Sequence, residues 1–157
     1  ATLQGVDFSL TLLMHEVCEM HRESSPTAVI EEIIDPGVNE IFHGDAKLLF
    51  QAFSNLVGNA IKYSPAGTPV TVHVSGGADM IRVSVSDRGM GIPDKGREHI
   101  FERFVRGGNV AGTAGAGVGL YLVKLAVDLH QGEVLVTSKE GQGSSFVVKL
   151  PRAAASG

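Results

Sequence analysis

Asn55, Asn59 and Lys62 recur at spacings of four and three residues in the run Asn55-Leu56-Val57-Gly58-Asn59-Ala60-Ile61-Lys62-Tyr63. On a helix these three share one face, while Leu49, Phe53, Leu56, Val57 and Ala60 fall on the other. One face packs and the other is left for chemistry. A carboxamide oxygen is a hard, neutral ligand of the kind magnesium takes, and a lysine ammonium is a compact charge suited to a phosphate oxygen. Together they suggest a nucleotide. Taken alone, the same residues read equally well as a solvated polar face.

Two further segments bear on that choice. Asp87 ends an alternating apolar run and is followed by Arg88-Gly89-Met90-Gly91-Ile92-Pro93. A carboxylate only accepts hydrogen bonds, so on a pocket floor it suits the exocyclic amine of adenine, with Gly89 and Gly91 letting the backbone approach the base. A strand that ends in a tight turn explains the same residues. Gly115-Ala116-Gly117-Val118-Gly119 precedes a helical stretch, and glycine-rich backbone feeding a helix N-terminus gathers N–H groups into an anion site. A flexible linker is the bland alternative. Neither the dinucleotide fingerprint G-x-G-x-x-G nor the phosphate loop G-x-x-x-x-G-K-[ST] occurs. Between these segments, Phe101 and Phe104 stand in Ile100-Phe101-Glu102-Arg103-Phe104-Val105-Arg106, and in a glycine-rich stretch they need a core or a partner to anchor on.

The bulk numbers narrow the class. A chain of 157 residues fits one domain that buries about two-thirds of its unfolded surface. Thirteen Lys and Arg against 17 Asp and Glu give a formal charge of −4 and a pI near 5.8, so no broad attraction to nucleic acid or anionic lipid is expected. The single cysteine, Cys18, excludes an intramolecular disulfide, and its apolar helical context predicts a packed thiol. Six histidines are scattered without metal-ligand spacing, so no zinc site is expected. No apolar run approaches the roughly 20 residues that cross a bilayer. The segment is therefore expected to be soluble and cytoplasmic, with any membrane anchor of a parent protein lying outside it.

The elements that must position these residues follow from periodicity. Helical spacing predicts a first helix over about Asp7 to Arg22, a strand over Ala28 to Ile34 ending at Asp35-Pro36-Gly37, and a short strand at Glu40 to His43 that would complete a hairpin with it. Asp45 caps the helix bearing the asparagines, which ends near Ser64-Pro65-Ala66-Gly67. Alternation predicts a hairpin of two strands over Val70 to Val74 and Ile81 to Ser86. Residues 88–117 hold eight glycines and read as a long loop with a short helix near Lys95 to Phe101. A helix over Gly119 to His130 and two strands, Glu133 to Ser138 and Ser144 to Leu150, close the domain. The domain spans residues 1–152, with a frayed tail at 153–157. The order predicts a two-layer α/β sandwich, helices on one face of a mixed, mostly antiparallel sheet.

In this order the segments resemble the N, G1, F and G2 boxes of the catalytic and ATP-binding domain of bacterial sensor histidine kinases, in the GHKL ATPase superfamily shared with gyrase and Hsp90. The resemblance covers about Gly44 to Pro151, including Gly141-Gln142-Gly143-Ser144-Ser145-Phe146 and Leu150-Pro151. It implies a Bergerat-type fold binding ATP and Mg2+. Asn59 would ligate magnesium, Asn55 would assist at the phosphates or the metal, Lys62 would contact phosphate and Tyr63 would pack near adenine. Asp87 would take the adenine amine in a pocket shaped by Gly89, Gly91 and Ile92. Phe101 and Phe104 would anchor a lid, and Gly115, Gly117, Val118 and Gly119 would form its phosphate-facing hinge beside Leu120 and Ser144. Arg88 stands where the family often has Asn, and Val118 where it often has Leu. His15-Glu16 is the nearest imitation of a phosphoacceptor, but Val17-Cys18-Glu19-Met20 does not continue that pattern, so His15 is not expected to accept phosphate.

The resemblance thus implies the catalytic domain of an ATP-dependent protein histidine kinase, without the phosphoacceptor histidine. It would donate the γ-phosphate to a histidine on a separate dimerisation domain, which serves a response regulator receiver domain, and would itself be monomeric. An anti-sigma-type serine kinase on the same ATP scaffold, or a non-catalytic docking pseudokinase, are the alternatives.

Overall fold

The computed structural model describes residues 5–65, 67–88, 116–139 and 143–152. Its elements run β1 (Val6–Ser9), α1 (Leu10–Ser24), β2 (Val29–Ile34), β3 (Ile41–Gly44), α2 (Ala46–Tyr63), β4 (Pro69–Gly76), β5 (Met80–Asp87), α3 (Ala116–Leu129), β6 (Glu133–Lys139) and β7 (Gly143–Pro151). Five strands form one sheet in the order β2-β4-β5-β7-β6, and β1 and β3 form a separate two-stranded piece. The β2–β4 pair is parallel and the other ladders are antiparallel. A hairpin cannot join parallel neighbours, so the chain leaves β2 and returns to β4 by way of β3 and α2.

The sheet alternates as its sequence demands. Val70, Val72 and Val74, then Ile81, Val83 and Val85, then Phe146, Val148 and Leu150 are buried, while Thr71, His73, Ser84 and Val147 between them remain partly exposed. All three described helices cover the buried face: Leu13, Met14 and Val17 from α1, Leu49, Phe53, Leu56 and Val57 from α2, and Val123, Ala126 and Val127 from α3 join the sheet in one apolar cluster. This is the expected two-layer α/β sandwich. No described helix is long and apolar enough to cross a membrane.

Two expectations are corrected. The first helix starts at Leu10, because Val6–Ser9 is a strand paired antiparallel with β3, its Phe8 ring set edge-on to Phe42 at 6.0 Å. Ser9 ends that strand and caps the helix, its hydroxyl accepting from the Leu12 amide at 3.1 Å. The β2–β3 hairpin does not form. The Asp35 amide instead extends the β2–β4 ladder by donating to the Val74 carbonyl at 2.9 Å, and the carbonyls ahead of β3 have other partners. Glu40 accepts from the Leu10 amide at 2.8 Å, and the Arg152 guanidinium donates to the carbonyls of Asn39 and Ile41. A third difference is smaller: α3 begins at Ala116, so Gly117, Val118 and Gly119 lie inside its first turn.

Candidate nucleotide site

α2 owes its position to three kinds of contact. Asp45 caps it, the carboxylate accepting from the Leu48 amide at 3.0 Å. Its apolar stripe, Leu49, Phe53, Leu56, Val57 and Ala60, is buried. A flank formed by Ser54 and Gly58 meets α1: His21 Nε2 lies 3.0 Å from the Ser54 carbonyl, and a Cβ on Gly58 would come within 3.2 Å of that ring. What remains is the side bearing Asn55 and Asn59, both half-buried, and Lys62, exposed in the last turn.

Asn59 has the most informative environment of the three. Its Nδ2 atom is buried and, among the described residues, has no hydrogen-bond partner. Leaving such a group unsatisfied costs about 1–3 kcal/mol, so a carboxamide kept in this state invites a partner from outside the chain. Carboxamide nitrogen and oxygen exchange by rotation about one bond. The same position can therefore offer a donor to a phosphate oxygen or an oxygen to a hard cation, and the residue fits the role of a magnesium ligand.

Asp87 is the last residue of β5, pairs in register with Ser144 of β7, and is half-buried. Gly143 makes that approach possible. Its φ is +96°, and a Cβ there would stand 2.2 Å from the Asp87 carbonyl oxygen and 2.8 Å from Arg88 Cα. Next to it, Ser86 and Ser145 join their hydroxyls across the ladder at 2.9 Å. The end of the central strand pair is thus fixed by backbone contact and side-chain hydrogen bonds together.

At the start of α3 the first-turn amides have no partner within the helix, as at any helix N-terminus, and Leu120 is buried against the core. Gly117, Val118 and Gly119 supply that turn. Tyr63 ends α2. Gly89, Gly91, Ile92, Phe101, Phe104, Gly115, the short helix expected near Lys95 to Phe101 and the tail at 153–157 lie outside the described residues. Within them, the site residues collect on α2, at the β5–β7 end and at the first turn of α3.

Two other concentrations of polar groups lie elsewhere. A cavity of about 250 Å³ opens where α1 and α2 end beside β2 and β4, lined by Ser25, Thr27, Ile61, Ser64 and Thr68 among others. Ile61 puts it on a different side of α2 from Asn55 and Asn59. His15, Glu19 and Glu32 bring ligand atoms within 4.8 Å of one another, but Arg22 already donates to both carboxylates. That environment holds Arg22 charged, the Glu32 hydrogen bond raising its pKa most. Burial pushes the Cys18 thiol up to about 12, and it is a packed group, as its helical context predicts.

Sequence reasoning passed over two residues. His130 is buried at the end of α3, and Gly143 appears in the sequence only as one member of the closing Gly141-Gln142-Gly143 run. The first had a visible signal, a histidine directly after an apolar helical run. The second belongs to a run the resemblance already uses, but its contact with Asp87 has no local signal, because that partner lies more than fifty positions earlier in the chain.

Comparison with known proteins agrees with the fold. The family model described as "Histidine kinase-, DNA gyrase B-, and HSP90-like ATPase" matches residues 44–154. The chain is 38% identical over 147 residues to the sensor-like histidine kinase SenX3 of Mycobacterium tuberculosis, covering 92% of this chain and 36% of that protein. It is 38% identical over 162 residues to the sensor histidine kinase AruS of Pseudomonas aeruginosa, covering 98% of this chain and 16% of that protein. Among solved structures, the mycobacterial sensor histidine kinase MprB superimposes with a TM-score of 0.81 at 27% identity, covering 93% of this chain and 97% of that one. Full-length ShkA in complex with AMPPNP superimposes with a TM-score of 0.82 at 28% identity, covering 96% of this chain and 32% of that one.

Proposed function

The chain belongs to the histidine kinase-, DNA gyrase B- and HSP90-like ATPase family, and on that premise we propose that it is the phosphoryl-donor domain of a sensor histidine kinase, binding ATP with Mg2+ and offering the γ-phosphate to a histidine on a separate dimerisation domain. The observation that carries this reading is the Asn59 Nδ2 atom, buried and without a hydrogen-bond partner among the described residues, on the α2 face that also bears Asn55. The AMPPNP held by ShkA and the naming of SenX3 and AruS as histidine kinases support it. In this reading the domain extends to about residue 152, acts as a monomer in the cytoplasm, and serves a response regulator through the acceptor domain.

Phosphoryl transfer needs position and charge neutralisation more than covalent participation by the protein. Asp87 accepts the adenine amine and fixes the base, with Gly89, Gly91 and Ile92 around it. Asn59 would hold the metal, with Asn55 assisting there or at the phosphates, and Lys62 would place its ammonium on a phosphate oxygen. Bound Mg2+ supplies neutralisation of the charge that builds on the phosphates. The first-turn amides at Gly117, Val118 and Gly119 receive phosphate oxygens, and Tyr63, Phe104, Gly115, Leu120 and Ser144 complete the enclosure. The acceptor histidine comes from outside the described fold.

Calorimetric titration with AMPPNP, with and without magnesium, tests the reading. The chain should bind, and Asn59→Ala and Asp87→Asn should each weaken binding at least tenfold, about 1.4 kcal/mol or more. Retained affinity in both variants refutes the site. No binding by the unaltered chain makes a docking pseudokinase the better account.

A further inference from the structure

His130 is 4% exposed, and its ring is held at both nitrogens. Nε2 lies 2.9 Å from the backbone nitrogen of Asp45, which can only donate. Nδ1 lies 2.8 Å from the carbonyl oxygen of Ala126, which can only accept. These partners fix one neutral tautomer, with the proton on Nδ1 and an acceptor at Nε2. The Asp45 amide so received belongs to the residue that caps α2. One ring therefore fastens the end of α3 to the beginning of α2.

The pocket around the ring is shaped for it. A Cβ on Gly44 would stand 2.8 Å from His130 Nε2 and 2.8 Å from the Phe42 ring, so glycine is what lets the imidazole reach the α2 cap. Phe42 lies against it with ring centroids 6.2 Å apart. An apolar residue of the same shape would fill the space but leave the buried Asp45 amide without its acceptor, so the imidazole serves the α2 cap as well as the packing.

α2 and α3 pack against each other and are tied end to start, so they run antiparallel. Asn59 lies fourteen residues after Asp45, and Ala116 lies fourteen residues before His130. At the helical rise both arms are about 21 Å long, which brings the first turn of α3 level with Asn59. We infer that His130 is a positioning residue for the nucleotide site: by bonding the Asp45 amide it sets the register between the α2 face carrying Asn55, Asn59 and Lys62 and the glycine-bearing first turn of α3. The inference rests on the nucleotide reading above. Its effect falls on the phosphate end of the ligand, since Asp87, assigned to the base, stands on β5 and is held by β7.

The test compares AMPPNP and adenosine, the latter by competition, on the full chain and three variants. His130→Phe keeps the volume and removes both polar atoms; His130→Gln can restore an acceptor for the Asp45 amide; His130→Asn can restore only the donor to Ala126. AMPPNP affinity should fall about five- to tenfold in the Phe and Asn variants, a loss on the scale of one buried hydrogen bond, and return to within about twofold in the Gln variant. Adenosine affinity should stay within about twofold in all three. Unchanged AMPPNP affinity in a folded Phe variant with a lowered melting point assigns the ring a structural role and overturns the inference, as does an equal loss for both ligands. If His130→Phe does not fold, His130→Asn decides by the same criterion. Failure of the unaltered chain to bind either ligand overturns the nucleotide reading itself, an outcome distinct from any variant's behaviour.

Discussion

A Cβ on Gly143 would stand 2.2 Å from the carbonyl oxygen of Asp87. The two strand ends are therefore in backbone contact at the residue assigned to the base, and they stay there only while position 143 has no side chain. Gly143→Ala must relieve both the clash and a φ of +96°, at a cost of about 1–3 kcal/mol in stability. Because the displaced atoms belong to Asp87 and Arg88, nucleotide affinity should fall as well. Gly132→Ala is the control. Gly132 lies just ahead of β6, and its Cβ would meet the Lys149 carbonyl of β7 at 2.4 Å, a comparable clash away from Asp87. Chemical denaturation should show both variants weakened, and titration with AMPPNP should show only the first impaired. Equal affinity in the two would mean that the strand end yields without moving Asp87.

Cys18 should make the fold sensitive to alkali. Burial raises the thiol from 9.0 to about 12, with Glu32 adding to the rise. Below pH 9 the thiol is protonated in both folded and unfolded chains and its contribution to stability is fully present. Between pH 9 and 12 the unfolded chain ionises and the folded chain does not, so the folded state loses about 1.4 kcal/mol per pH unit from this group. Cys18→Ala removes that slope. Urea unfolding at pH 8 and pH 10.5 should show the gap between the parent and the variant narrowing as pH rises. A constant gap would contradict the raised value. The native thiol should also be inert to a disulfide reagent until the protein unfolds.

Arg22 joins α1 to β2 by donating to Glu32 and, at 2.7 Å, to the Ile30 carbonyl. Arg22→Ala leaves a mostly buried Glu32 carboxylate without its cation and should destabilise by about 1–3 kcal/mol. Arg22→Lys recovers only part, because an ammonium cannot span both acceptors as a planar fork does. His15 bonds the same Glu32 at 3.0 Å but is 53% exposed. His15→Ala should therefore cost less than about 1 kcal/mol and leave nucleotide affinity unchanged. Thermal melts of the three variants rank these effects. A His15 variant as damaged as the Arg22 variant would reverse the assignment.

Local chemistry was legible in the sequence, and long-range pairing was not. Asp45 and the 3.6-residue stripe through Leu49, Phe53, Leu56 and Ala60 announce α2 because caps and periodicity act within a few residues. The β4–β5 and β6–β7 hairpins read correctly for the same reason. The parallel partner of β2 could not be read, since its register joins Ile30 to Val70 across forty positions and leaves no local trace. Val6–Ser9 was absorbed into the helix that follows, because four residues carry too little alternation to stand out. At the site, Asn59 and Asp87 were visible through residue type and spacing. Gly143 and His130 were not, because each matters through one distant atom, the Asp87 carbonyl oxygen and the Asp45 amide.

The β5–β7 ladder joins Met80 to Pro151 at one end and Asp87 to Ser144 at the other. Residues 5–88 supply β2, β4 and β5, while residues 116–152 supply β6 and β7 beside α3. The middle of the sheet is thus a join between an earlier and a later half of the chain, across about sixty intervening residues. Its closure carries a loop entropy that neither hairpin faces, which makes it a late event on the folding path. During synthesis β5 stands as an open edge, its outer row of backbone groups unpaired, until residues 143–151 emerge. Folding of the two halves can begin separately, but Asp87 meets Ser144 only when that join is made.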